Sequence, residues 1–264
     1  MKRPPSFKEN HSVNPRPSAK PEGTAAATGL ARALSKLGFC SRSKAWELIQ
    51  SGGVRVNGQV QRDPERRVHV ERDRIEVEGR SVERSKPAYL VLNKPRGQVT
   101  TLSDEKGRAT VMENLGPQGL PFVAPVGRLD RASEGLLLLT NDTSWAAHIT
   151  SPTSRLEKVY HVQIDGLADE QLLLRLREGI EADGEFLRVG RVRVLRTGTR
   201  NCWLEIGLHE GKNRHIRRLL KAAGHEVLRL IRIAIGPLQL GELAKGKFRF
   251  LTPEEVRALG PVAR

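Results

Sequence analysis

Residues 135–140 read Gly-Leu-Leu-Leu-Leu-Thr, an apolar run bounded by polar residues on both sides. A run this short and this continuous predicts a buried central strand, because a half-exposed strand would alternate with polar residues. A buried strand needs partners and covering layers, so the rest of the chain has to supply a sheet and helices around it. Further strands are predicted at 89–92, 122–126, 157–164, 189–195, 202–208, 226–233 and 248–251. Helices are predicted at 144–150, 169–178, 213–223 and 253–259. The last has Thr252 as cap, Pro253 in the first turn and Glu255 at the third position, close to a capping box. Many strands, few helices and no regular strand–helix alternation predict an α+β fold with a large, mostly antiparallel sheet.

The 264 residues suffice for one or two domains. Lys and Arg number 45 against 30 Asp and Glu, a formal charge of +15, which points to a polyanionic partner and to nucleic acid first. No stretch approaches the ~20 apolar residues of a membrane span, and no apolar secretory run opens the chain. The two cysteines, Cys40 and Cys202, lie far apart in no ligand-like spacing. They are expected to be reduced, as in the cytoplasm, and no metal site is expected. Gly-rich phosphate loops and dinucleotide fingerprints are absent, so no nucleotide cofactor is expected.

Residues 1–28 are expected to form a disordered basic tail, broken by Pro4, Pro5, Pro15, Pro17 and Pro21. Residues 29–79 read as a small α+β unit. Leu30, Leu34 and Leu37 recur at helical spacing before Gly38, and Ser41 caps a second helix carrying Ala45, Leu48 and Ile49. Val54 and Val56 then run into Asn57-Gly58, a two-residue hairpin signal. Arg32 and Lys36 share a helix face, Arg42 and Lys44 open the second helix, and Arg55 sits in the first hairpin strand; these are the candidate RNA contacts. An ordinary solvated charged face would show the same residues. The run LSKLGFCSRSKAWELIQSGGVRVNGQV resembles the RNA-binding domain shared with small-subunit ribosomal protein S-four, which implies binding of structured RNA through shape and phosphates. A polar linker at 80–87 precedes a second domain at 88–264.

Asp130 lies in a polar loop just ahead of the apolar strand, a place where a rigid sheet can present a reactive group. An isolated aspartate there is more often a turn or cap residue. The whole segment PVGRLDRASEGLLLLTND at 125–142, however, resembles the catalytic signature of pseudouridine synthases, in the branch that modifies ribosomal RNA and carries the same N-terminal domain. The resemblance extends over most of residues 88–252 and implies that Asp130 is the essential carboxylate. Glu157-Lys158-Val159-Tyr160 resembles the family strand whose tyrosine stacks on the target base, which assigns Tyr160. EGKNRHIRRLLKAAGHEV at 210–227 resembles the motif that supplies a basic partner to the aspartate, which assigns Arg217, with Arg218 as the alternative should the register shift by one. Lys94, Arg128 and Arg131 are further candidates to contact RNA; Arg128 and Arg131 serve equally well as anchors of the Asp130 loop.

The implied reaction moves uracil from its ring nitrogen to carbon 5 on the same ribose, with no redox change and no cofactor. The carboxylate acts either as a nucleophile on the sugar or as a base at its 2′ position. The guanidinium keeps it ionised, and the base must leave the RNA stack to reach it. The expected partner is ribosomal RNA or a ribosomal precursor particle, the protein itself being a monomer. Two other readings stand beside this one: a non-catalytic RNA-binding or ribosome-assembly factor, and a uridine-directed hydrolase. The chain departs from the family pattern at Thr143, where Gly is usual and a left-handed turn would be resisted, and at His215, where Gln is usual. His209 and His215 are read as RNA-facing or structural.

Overall fold

The computed structural model describes residues 27–116 and 119–262. The tail expected at 1–28 lies outside them up to residue 26. Thr28 itself is buried and pairs with Val68 in a two-stranded ladder that opens the small unit.

In that unit the first helix, Leu30–Lys36, ends in a Schellman turn. The Gly38 N–H donates to Ser35 O and the Phe39 N–H to Leu34 O, with Gly38 at φ +72°. Ser41 caps the second helix, Arg42–Gln50, by accepting from the Lys44 N–H. The hairpin pairs Val54–Val56 with Gln59–Gln61 around Asn57 and Gly58, both at positive φ, as the Asn-Gly signal requires. Ile75–Val77 adds a third strand. Leu30, Leu34, Ala45, Ile49, Val54, Val56, Ile75 and Val77 share one core, so this unit buries its own apolar surface separately from the rest.

The larger unit is built on one sheet. Its main path runs, edge to edge, Arg191–Thr197, Asn201–Leu208, Lys158–Asp165, Val227–Ile235, Glu134–Thr140, Tyr89–Lys94 and Phe248–Phe250. Every pairing along it is antiparallel except one. Val227–Ile235 meets Glu134–Thr140 in parallel over Ile231↔Glu134 and Arg232↔Gly135. Leu136 to Leu139 are fully buried, with Leu136 and Leu138 in one core cluster and Leu137 and Leu139 in another. That is why four leucines stand in a row: the strand is covered on both faces. Gly135 makes the parallel contact possible. It sits at φ +98°, and a Cβ there would meet Arg232 O at 2.2 Å.

Helices Glu170–Glu178 and His215–Ala222 pack on one face of the far half of the sheet, through Leu172, Leu173, Leu176, Ile216, Leu219 and Leu220. Helix Thr143–Thr150 begins directly after the central strand. Asp142 caps it, accepting from the Ser144 and Trp145 N–H groups and from the Tyr89 hydroxyl. Thr143 is therefore the first helical residue, and the left-handed turn expected to be resisted there does not occur: a side-chain cap ends the strand where glycine would have turned it. Helix Pro253–Leu259 carries the predicted capping box between Thr252 and Glu255.

Candidate active site

A cleft of about 550 Å³ opens where the central strands meet helix His215–Ala222, a size that suits a single nucleotide. Asp130, Tyr160 and Arg217 all line it, together with Lys158, Arg214 and Arg232. Three segments far apart in sequence thus converge on one cavity.

Asp130 stands on the loop that feeds the buried strand, and the loop is fixed from several directions. The Thr100 hydroxyl donates to Leu129 O at 2.7 Å while the Leu129 side chain is buried beneath. The Ser133 N–H returns to Asp130 O at 2.9 Å. Arg131 Nε donates to Gly97 O, and the Gly97 N–H to Arg131 O. The carboxylate itself is 37% exposed and faces the cleft, where Arg214 Nη1 lies 3.6 Å from Oδ2.

Two arginines serve the Asp130 loop. Arg217 reaches the Asp130 loop, but through its backbone: Nη2 donates to Ala132 O at 3.1 Å and Nη1 to Val227 O at 3.1 Å. The ion-pair partner of the carboxylate is Arg214, three residues earlier, at the mouth of the same helix. Burial lowers the pKa of Arg217 first and neighbouring Arg214 adds to this, while Asp130 opposes both. Arg217 thus ties the Asp130 loop to the adjoining strand and contributes charge from behind, and Arg214 contributes it directly. Arg218 faces away, held by Asp183, Glu185 and Ala182 O, and is no part of the cleft.

Tyr160 lies on strand Lys158–Asp165, opposite Ile206 on one side and Arg232 on the other. Its ring packs against both the helical core and the core under the Asp130 loop, so it forms one wall of the cleft.

Lys94 was expected to line an RNA groove. It is 0% exposed instead, and its Nζ donates to Ser133 O at 2.8 Å and Pro95 O at 3.0 Å. Burial brings its pKa down to about 8, against the pull of Glu134 and Asp130. It cannot touch a phosphate; it is a pin beneath the Asp130 loop. Arg128 and Arg131 are exposed, and both line a second groove of about 450 Å³ that leads from Asp130 past Thr101 and Arg108. On the small unit Arg32, Lys36, Arg42, Lys44 and Arg55 are all exposed, with Lys44 paired to Glu47 and Arg55 bonded to Gly58 O. His215 is buried and bonds Arg188 O, a structural role that burial reinforces by disfavouring its charge. His209 is exposed on the cleft wall.

A charge cluster that the sequence did not reveal, centred on the buried Glu134, supports the central strand at its start. Glu134 accepts two bonds from Arg229, at 2.8 and 3.0 Å, and one from Lys245 at 2.5 Å. Among the described residues no group of His, Cys, Asp and Glu is arranged to hold a metal ion, and no helix is long and apolar enough to cross a membrane.

Comparison with known proteins adds to this geometry. Residues 88–222 match the family model described as RNA pseudouridylate synthase, and residues 28–75 match the S4 domain. An uncharacterized RNA pseudouridine synthase of Aquifex aeolicus is 42% identical over 86% of this chain and 91% of its own. Ribosomal large subunit pseudouridine synthase B of Bacillus subtilis is 37% identical over 89% of this chain and 96% of its own. A crystal structure of a pseudouridylate synthase superposes with a TM-score of 0.62 at 28% identity, covering 88% of this chain and 99% of that one.

Proposed function

Because this chain belongs to the RNA pseudouridylate synthase family, we propose that it converts a uridine of ribosomal RNA to pseudouridine, using Asp130 as the essential carboxylate in the cleft. The observation that carries this reading is the convergence of Asp130, Tyr160 and Arg217 on one cavity of nucleotide size. The relative named for large-subunit RNA directs the first test to that RNA.

The chemistry follows from the placement of each group. Arg214 stands against the carboxylate, its Nη1 3.6 Å from Oδ2, at the group that acts as either a nucleophile or a base. Lys94 and Arg217 hold the backbone at Ser133 and Ala132, so the carboxylate keeps its position without spending its own hydrogen bonds. Tyr160 offers a face on which the uracil rests, a contact worth ~1–3 kcal/mol. The cleft is recessed behind this loop, so a uridine in a helix has to swing out of its stack to enter. The exposed cations of the small unit and the groove by Arg128 and Arg131 hold the flanking RNA, by phosphate contact and shape.

The test is to incubate the protein with unmodified large-subunit and small-subunit ribosomal RNA transcripts and map pseudouridine at single-nucleotide resolution. One new pseudouridine in one RNA is the expected result. Binding of both RNAs with no pseudouridine in either refutes the reading.

A further inference from the structure

Arg232 is 6% exposed and lines the cleft. Its Nε donates to Leu136 O at 2.7 Å, which fixes the side chain, but its Nη2 is buried with no hydrogen-bond partner. A buried donor without an acceptor costs ~1–3 kcal/mol, more when it is charged, so this one points to an acceptor that arrives with the substrate. Lys158 lines the same cleft, half buried, two residues before Tyr160 on the neighbouring strand. Its ammonium has no hydrogen bond or ion pair among the described residues; burial lowers its pKa first, and the charge of Arg232 lowers it further. Two cations therefore repel each other in the floor of the cavity with no carboxylate between them.

We propose that Lys158 and Arg232 form an anion subsite that takes up the negative charge of the uracil ring after it is cut from its ribose. This rests on the isomerase reading given above. A backbone phosphate is the other anion available, but depth argues against it. Asp130, which must meet the ribose, is partly exposed, whereas Arg232 is buried. Beyond the ribose only the base can reach. Arg232 is also the direct cross-strand neighbour of Tyr160, the wall on which the ring is placed.

The need for an anion subsite follows from electron counting. When the bond between the ribose and ring nitrogen 1 breaks, its electron pair stays on the ring, which becomes an anion with charge spread onto its two oxygens. This holds whether Asp130 attacks the sugar or removes its 2′ proton. The pair is returned as carbon 5 bonds to the ribose; the proton lost from carbon 5 is matched by one gained at nitrogen 1, and no co-reactant is consumed. Uridine in the ground state is neutral, so the two cations gain most after cleavage begins, which is how a charged group accelerates a step and does not merely tighten binding.

The experiment uses the full-length protein and whichever ribosomal RNA gains pseudouridine in the mapping above, transcribed with uridine or with 5-fluorouridine, under single-turnover conditions. Consumption of the target nucleoside is read by nuclease digestion and mass spectrometry, and RNA affinity by filter binding. Arg232→Gln is expected to slow uridine consumption ~10²–10³-fold with affinity unchanged. On 5-fluorouridine, where fluorine already stabilises the ring anion, the deficit should shrink by about tenfold or more. Lys158→Gln, which leaves the Arg232–Leu136 bond intact, should show the same pattern in milder form, and Arg232→Lys should recover part of the rate. Equal deficits on both RNAs, or weaker affinity at unchanged rate, overturn the proposal. Wild-type protein that consumes neither nucleoside refutes the underlying isomerase reading, and the anion subsite with it.

Discussion

Glu134 opens the buried strand behind the Asp130 loop, and replacing it with glutamine should cost the protein a definite, pH-dependent share of its stability. The side chain is 3% exposed and its carboxylate is held by Arg229 and Lys245. Those bonds, Arg229 first, outweigh the cost of burial and bring its pKa from 4.5 to about 2. At about 1.4 kcal/mol per unit the shift corresponds to ~3 kcal/mol. Arg229 and Lys245 are 39% and 52% exposed, so solvent screens part of this and ~2–3 kcal/mol is the working figure. A catalytic unit of this size loses ~2–4 °C per kcal/mol, so Glu134→Gln should melt ~5–10 °C below wild type near neutral pH. The folded pKa is depressed, so the stabilisation is complete above about pH 4.5 and is lost as pH falls towards about 2. The gap between the two proteins, read by circular dichroism melts, should therefore narrow on acidification. A variant as stable as wild type near neutrality, or a gap that stays constant down to about pH 3, refutes a stabilising role for the buried Glu134 carboxylate and its two cations.

Other expectations follow from the same geometry. Gly135→Ala places a Cβ against Arg232 O in a left-handed backbone and should destabilise the fold by ~3 kcal/mol, seen as a lowered melting point. Lys94→Met removes the donor from Ser133 O and Pro95 O and should lower turnover with little change in RNA affinity, because the residue touches only the loop. Tyr160→Phe should keep most activity, whereas Tyr160→Ala should lose ~1–3 kcal/mol of transition-state stabilisation, or about 5- to 150-fold in rate.

The fold was legible where a local signal carried it. The Leu136 to Leu139 run, the Asn57-Gly58 turn and the Thr252 cap each sit in a few contiguous residues, and each element formed where its signal lay. Asp130, Tyr160 and Arg217 were legible only through resemblance, since an aspartate in a loop and a tyrosine in a strand carry no signal alone. What was hidden is long-range. Lys94 stands in a polar stretch beside Pro95 and Arg96, and nothing in that stretch tells that the Asp130 loop closes over it. Glu134 finds Arg229 and Lys245 across about a hundred residues. Arg214 lies inside the motif that was read, one helical step before Arg217, so only the choice among its arginines depended on coordinates. Lys158 and Arg232 acquire meaning when the sheet brings them together without a counter-ion.

The most direct test of the whole account is Asp130→Asn in the full-length protein, which keeps the loop's size and backbone bonds while removing the charge. On the mapped ribosomal RNA it should form no detectable pseudouridine, yet bind that RNA as wild type does and melt at the same temperature. Pseudouridine formed at the wild-type rate by this variant would contradict the account at its centre.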